Sequence, residues 1–248
     1  MTIASYFICS TPRSGSTLLC DLLKQTGVAG RPNSFYRAPS IAEYAEYWGI
    51  EAEPGLEFER RYMAAAIKHG TRDTGMFGMR LHGLSLFELL GRLAMLYPGE
   101  ATDKARLSVA FGTPLYVRLR RADKVAQAIS RVKAEQSGLW HRHADGAERE
   151  LIKPYEAPIY DAARLRASIT ETVEHEAVFD AWAAGQGITP LDVTYEALSA
   201  DPHGTLAMIL DALGRDPALA ERAQVQTARL ADTMSVEWAV RYRAESAG

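Results

Sequence analysis

The chain has 248 residues, of which 47% are hydrophobic and 24% charged, and its net charge is −3. That balance excludes disordered and fibrous proteins, and its acidity argues against a dedicated nucleic-acid binder. The length suits a single domain, read as residues 1–248, large enough to bury a substantial core.

Charge is unevenly spread. Residues 1–40 carry Arg13, Lys24, Arg31 and Arg37 against Asp21 alone, and residues 116–133 carry six cations against Asp123 alone. Two local cationic segments in an acidic chain suit a small anionic ligand better than a polymer. Cys9 and Cys20 are the only cysteines. A disulfide framework is therefore not expected, and a reducing, cytoplasmic setting is. No run approaches 18 apolar residues and no basic, then apolar, leader opens the chain, so no integral membrane association is expected.

Taken in chain order, Ser5–Cys9 predicts a short buried strand. It runs into Ser10-Thr-Pro-Arg-Ser-Gly-Ser-Thr17. Leucines 18, 19, 22 and 23 then predict a helix that stops at Gly27. Residues 30–55, with three prolines and several aromatics, read as an irregular substrate loop or lid. A helix over 56–68, a strand over 75–81, a helix over 84–96 and a strand over 114–119 follow. From Asp123 a helix carries Val125, Ala128, Ile129 and Val132 on one face. Residues 138–157 read as a loop, 159–184 as a long helix, 188–193 as the last strand and 201–213 as a helix. Strands alternating with helices predict an α/β protein: a three-layer, P-loop-like fold with a central parallel sheet flanked by helices.

The loop after the first strand, lying between a strand and a helix, is the context a phosphate-binding loop requires. Set on the pattern G-x-x-x-x-G-K-[ST], it has Ser10 for the first glycine, keeps Gly15, puts Ser16 on the lysine and ends on Thr17. Backbone N–H groups and the positive end of a helix dipole suffice to hold a phosphate. The lysine that reaches a triphosphate is missing, and Arg13 offers a guanidinium fork to an oxyanion instead. No metal is expected in the site. His141, His143 and Asp145 could form a ligand trio, but three ligands in one loop make a poor metal site.

This loop resembles the 5′-phosphosulfate loop of sulfotransferases that use 3′-phosphoadenosine 5′-phosphosulfate (PAPS). The chain is similar, more narrowly, to the bacterial trehalose-sulfotransferase family, whose loop reads S-x-R-S-G-S-T-L-L, here with one extra threonine. The likeness continues through Thr26-Gly-Val-Ala-Gly30 and Pro32, and through Gly78-Met-Arg80 where that family has G-G-K. It resumes at Arg121-x-Asp123-x-x-x-Gln127-Ala128-x-Ser130, at Trp140 and at Ser235-x-Glu237-Trp238-x-x-Arg241-Tyr-Arg243.

The resemblance implies a PAPS-dependent transfer of a sulfuryl group to the hydroxyl of a small acceptor, a carbohydrate or glycolipid, without metal. Homodimers are also implied. It assigns Arg13, Ser14, Gly15, Ser16 and Thr17 to the 5′ end of the donor. Either Arg120 or Arg121, with Ser130, goes to the 3′-phosphate; by helical spacing, Ser130 and Gln127, three apart, lie off the Val125/Ile129/Val132 stripe and are expected to face a ligand. Ser34, Phe35, Arg80 and Trp140 are expected at the acceptor, and Arg13, Ser16 and His82 in the chemistry. The family's glutamate, its expected base, is replaced here by Ser34, which leaves His82 or Glu43 for that task. Two alternatives stand beside this reading: a kinase-like nucleotide enzyme, and a non-catalytic protein that keeps the nucleotide pocket and uses residues 30–55 as a partner surface.

Overall fold

The computed structural model describes residues 4–51, 53–142, 148–226 and 231–246. In chain order come β1 (Ser5–Ser10), α1 (Ser16–Gln25), α2 (Ala38–Tyr47), α3 (Leu56–Thr71), β2 (Phe77–His82), α4 (Ser85–Leu96), α5 (Asp103–Phe111) and β3 (Pro114–Arg120). After these lie α6 (Lys124–Ser137), β4 (Leu139–Arg142), β5 (Glu148–Leu151), α7 (Ala162–Gly185), β6 (Leu191–Thr194), α8 (Tyr195–Ala200), α9 (Pro202–Ala212) and α10 (Thr233–Ser246).

Four strands form one parallel sheet in the order β2-β1-β3-β6. The chain leaves β1 for one neighbour, returns past it, and continues on the other side. The strand order therefore reverses around β1, and such a switch opens a crevice beyond the carboxyl ends of the strands. Ser10 at the end of β1 lies in register with His82 of β2 and Leu119 of β3. Whatever follows these residues is gathered at one edge.

Alternation along β1 divides the core in two. Tyr6 and Ile8 join Leu19, Leu22 and Leu23 of α1 and the apolar face of α9 on one side. Phe7 and Cys9 join α2, α3, α4 and α5 on the other. A strand buried on both faces has no polar side, which is why this segment reads as a continuous apolar run. The predicted α/β fold with a central parallel sheet flanked by helices is thus observed.

A third cluster ties Ala128, Ile129 and Val132 of α6 to Leu165 of α7 and to Trp238 and Tyr242 of α10. Arg243 donates to Asp123 at 2.9 Å, and Asp123 caps α6 by accepting from the Ala126 N–H at 3.0 Å. The C-terminal block of the sequence therefore fixes where α6 begins, with Trp238 as a packing residue. Gly30 has a similar structural reason: at φ +67° its missing side chain leaves room for the carbonyl oxygens of Met76 and Gly70.

The structure revises two expectations. Residues 38–47 are helical, so the supposed irregular lid presents a helix face; Pro39 sits in the first turn, where its absent N–H costs nothing. The segment 138–157 opens with an antiparallel hairpin, β4 with β5. Its alternation was too short, at four residues a strand, to stand out from a polar loop.

Candidate active site

A cleft of about 810 Å³ opens at the carboxyl edge of the sheet. Its floor is the loop after β1 with the first turn of α1; its walls come from the segment 32–44, the end of β2, the start of α6, the β4–β5 hairpin and Tyr195 after β6.

The loop is built to leave donors free. Gly15 takes φ +89° at the N-cap of α1; no side chain caps this helix and no acidic residue stands in its first turn. The first N–H groups of an α-helix lack intrahelical partners, so here they are available to an anion. Ser14 is fully buried and donates its hydroxyl to the Thr11 carbonyl at 2.8 Å. It shapes the loop from within; its side chain does not line the cleft as expected. Gln127 is likewise buried, donating to Thr11 Oγ1 at 2.9 Å and to the Pro12 carbonyl at 2.8 Å. It braces the loop from behind and does not line the cleft.

Arg13 adopts φ +66°, an uncommon backbone state for a residue with a side chain. Its Nε donates to Ser130 Oγ at 2.9 Å and its Nη1 to the Trp140 carbonyl at 2.6 Å. These bonds connect the loop to α6 and β4. Burial, with the Arg121 charge nearby, brings the Arg13 guanidinium down to about 10, still protonated at neutral pH.

The second cationic segment sorts itself by partner. Arg118 pairs with Asp180 and Arg120 with Asp192, Lys124 with Glu176, Arg131 with Glu171 and Lys133 with Asp232. Arg121 alone of the six forms no ion pair among the described residues; it lines the cleft. Of Arg120 and Arg121, only Arg121 is among the residues that line the cleft. Its guanidinium lies 4.5 Å over the Tyr195 ring, a cation–π contact, and its Nε is buried without a hydrogen-bond partner. Tyr195 was missed in the sequence, although the first residue after a parallel strand is where such sheets place ligand groups.

On the opposite wall, Asn33 pairs with Met79 beside β2, and the Arg80 N–H donates to the Asn33 carbonyl at 3.0 Å. This brings Ser34 to Arg80, whose Nε donates to Ser34 Oγ at 2.8 Å while Nη1 donates to Thr17 Oγ1 at 3.0 Å. Arg80 therefore joins the loop to the segment 32–37. Phe35, expected at the acceptor, is instead buried among Tyr44, Trp48 and Phe77. Its role is to anchor that segment, because a large ring gains more by leaving water than by facing a wet cleft. Trp140 lines the cleft as expected, with its indole N–H buried and unpartnered.

His82 Nε2 lies 2.9 Å from Ser16 Oγ. Its burial, and then the positive charges of Arg80 and Arg37, hold its pKa well below the usual histidine value, so the ring is neutral. An unfolded chain would bind a proton near pH 6.5 that the native site refuses. Stability from this group is thus complete above that pH and is lost as pH falls below it, by up to about 1.4 kcal/mol per pH unit. Replacing His82 by Asn should flatten that fall between pH 6.5 and 5 in denaturant titrations; an unchanged slope would show that the ring is not held neutral. His143 and Asp145 lie outside the described residues. Among those described, no cluster of three His, Cys, Asp or Glu could hold a metal, and no helix is long and apolar enough to cross a membrane.

Fold and site together define an α/β protein with an uncapped, glycine-containing strand-to-helix loop at a parallel-sheet switch point. Known proteins give that class a name: residues 5–245 match the model of the Stf0 sulphotransferase family, and the chain belongs to that family. It is 30% identical over 270 residues to trehalose 2-sulfotransferase of Mycobacterium tuberculosis (strain ATCC 35801 / TMC 107 / Erdman), an alignment covering 98% of this chain and 96% of the relative. The trehalose 2-sulfotransferase of Mycolicibacterium smegmatis is 28% identical, with 98% and 95% covered. Among solved structures, the sulfotransferase domain of the Synechococcus PCC 7002 olefin synthase aligns with 98% of this chain and 95% of its own, at 17% identity and a TM-score of 0.42.

Proposed function

We propose that the protein transfers a sulfuryl group from PAPS to a hydroxyl of a small acceptor, most simply a carbohydrate. The observation that carries this reading is the pair of guanidinium groups, Arg13 and Arg121, which line the cleft with Ser130 and the uncapped start of α1, the charge of one bearing on the other, and neither of which forms an ion pair among the described residues. A guanidinium that burial and a neighbouring cation both depress, as at Arg13, is costly without an anion to share, and a buried Arg121 Nε lacking a partner supports an anion at this point.

PAPS would supply the activated sulfuryl group and, on its departure, a phosphate. Free N–H groups at the start of α1, with Ser16 and Thr17, would hold the phosphosulfate end, and Arg121 with Ser130 the 3′-phosphate. Arg13 spans both, since its Nε and Nη1 are spent on Ser130 and Trp140 while Nη2 has no partner among the described residues. Positioning and charge stabilisation are the main contributions such a site makes to an in-line transfer. Of the two candidate bases, neutral His82 is tied to Ser16 and weakened by adjoining arginines. Glu43, a carboxylate on the acceptor wall, takes the acceptor's proton in this reading.

Calorimetry with the by-product, 3′-phosphoadenosine 5′-phosphate, tests the donor assignment. One equivalent should bind, with the same affinity in magnesium and in excess chelator. No binding would overturn the reading, and magnesium-dependent binding of a nucleoside triphosphate in its place would move the protein to the kinase-like class.

A further inference from the structure

We propose that the acceptor carries an oxyanion, a phosphate or carboxylate, beside the hydroxyl it offers; this rests on the donor assignment above and specifies the substrate class of the same cleft. Among the described lining residues are five cations, Arg13, Lys24, Arg37, Arg80 and Arg121, against three carboxylates, Asp21, Glu43 and Glu150. Lys24 is paired with Asp21 at 3.7 Å, and Glu150 faces His141 Nε2 at 3.5 Å. Arg13 and Arg121 go to the donor. Arg37 and Arg80 remain, both on the wall where the acceptor must enter.

Neither has a carboxylate partner among the described residues. Arg80 spends Nε and Nη1 on the neutral hydroxyls of Ser34 and Thr17. Arg37, exposed at the start of α2, spends Nε on Ser40 Oγ at 3.0 Å. Glu43 lies on the same helix six residues on, yet forms no ion pair with either. Both arginines bear on Tyr44 and on His82, so their charges converge on the space between α2 and the end of β2. Two guanidinium groups, one half-buried (Arg80) and one exposed (Arg37), that bear on one volume without an ion-pair partner attract a planar or tetrahedral oxyanion, and a neutral sugar leaves them unpaired. Ser34, short and uncharged, keeps that volume open.

The test uses the full chain saturated with 3′-phosphoadenosine 5′-phosphate. Glucose 6-phosphate, glucuronate and glucose are titrated in calorimetry at low and at high salt. At least one anionic sugar should bind tenfold or more tighter than glucose, with the advantage shrinking at high salt; comparing the two anionic probes separates phosphate from carboxylate recognition. Arg37→Ala should remove most of that advantage while by-product affinity, measured alongside, stays within about threefold. Equal binding of charged and neutral sugars would overturn the proposal. So would a drop in by-product affinity in Arg37→Ala, since it would assign that arginine to the donor. Failure of the by-product itself to bind would reject the donor assignment, and this inference with it.

Discussion

Arg13→Ala should lower kcat/KM by about 10²–10³-fold, most of it as lost affinity for donor and by-product. A donor aimed at developing charge in a desolvated site is worth about that factor, and charge-assisted hydrogen bonds are worth about 1.5–3 kcal/mol each. The side chain also joins three elements, through Ser130 on α6 and the Trp140 carbonyl on β4. Its removal leaves that carbonyl without this donor, so a loss of about 1–2 kcal/mol in folding stability should accompany the loss of activity. Arg13→Lys separates the two effects. A lysine keeps the charge but not the planar fork, and a loss of about 10–100-fold is expected. By-product affinity in Arg13→Ala within threefold of the parent protein would refute the role assigned to this residue.

Gly15→Ala should be damaging for a different reason. At φ +89° any side chain is strained, and the new Cβ would stand 2.6 Å from Tyr195 Cδ2. Left-handed strain of about 1–2 kcal/mol and overpacking of about 1–3 kcal/mol add to about 2–5 kcal/mol. For a chain of this length that corresponds to a fall in Tm of roughly 5–15 °C. Activity should fall by at least about 10²-fold, because Tyr195 cannot yield without shifting Arg121 from its ring. Adding Tyr195→Ala should recover part of the Tm, since the collision is relieved, while leaving activity low. A double variant no more stable than Gly15→Ala would show that the ring is not what the methyl group meets.

Much of the architecture was legible. Four apolar segments, each closed by a turn, corresponded to the four strands of the sheet, and the helices between them were found with end errors of a few residues. The exceptions were α2, α5, α8 and α10. Residues 38–47 hide their helix behind Pro39 and a wealth of aromatics, and those aromatics serve to pack Phe35, Tyr44 and Trp48 together. Within the site, the loop after β1 was legible because its chemistry is local: consecutive N–H groups, a glycine and a guanidinium. Ser14, Phe35 and Gln127 were misread because residue type says nothing about direction. Each is turned inward to satisfy a carbonyl, a ring cluster or a loop.

By itself, then, the amino-acid order determined the alternation of strands and helices, the glycine-containing loop after β1 and its lack of a triphosphate-reaching lysine, and the likeness to one family. Each depends on neighbours in the chain. Only the tertiary structure decided that Arg121, and not Arg120, faces the cleft, that Tyr195 carries it, and that Arg37 and Arg80 stand beside Ser34 without an ion-pair partner among the described residues. Those outcomes depend on which carboxylate comes within reach of which cation. Asp180 and Asp192 lie 62 and 74 positions from Arg118, and no local pattern encodes a pairing across that distance.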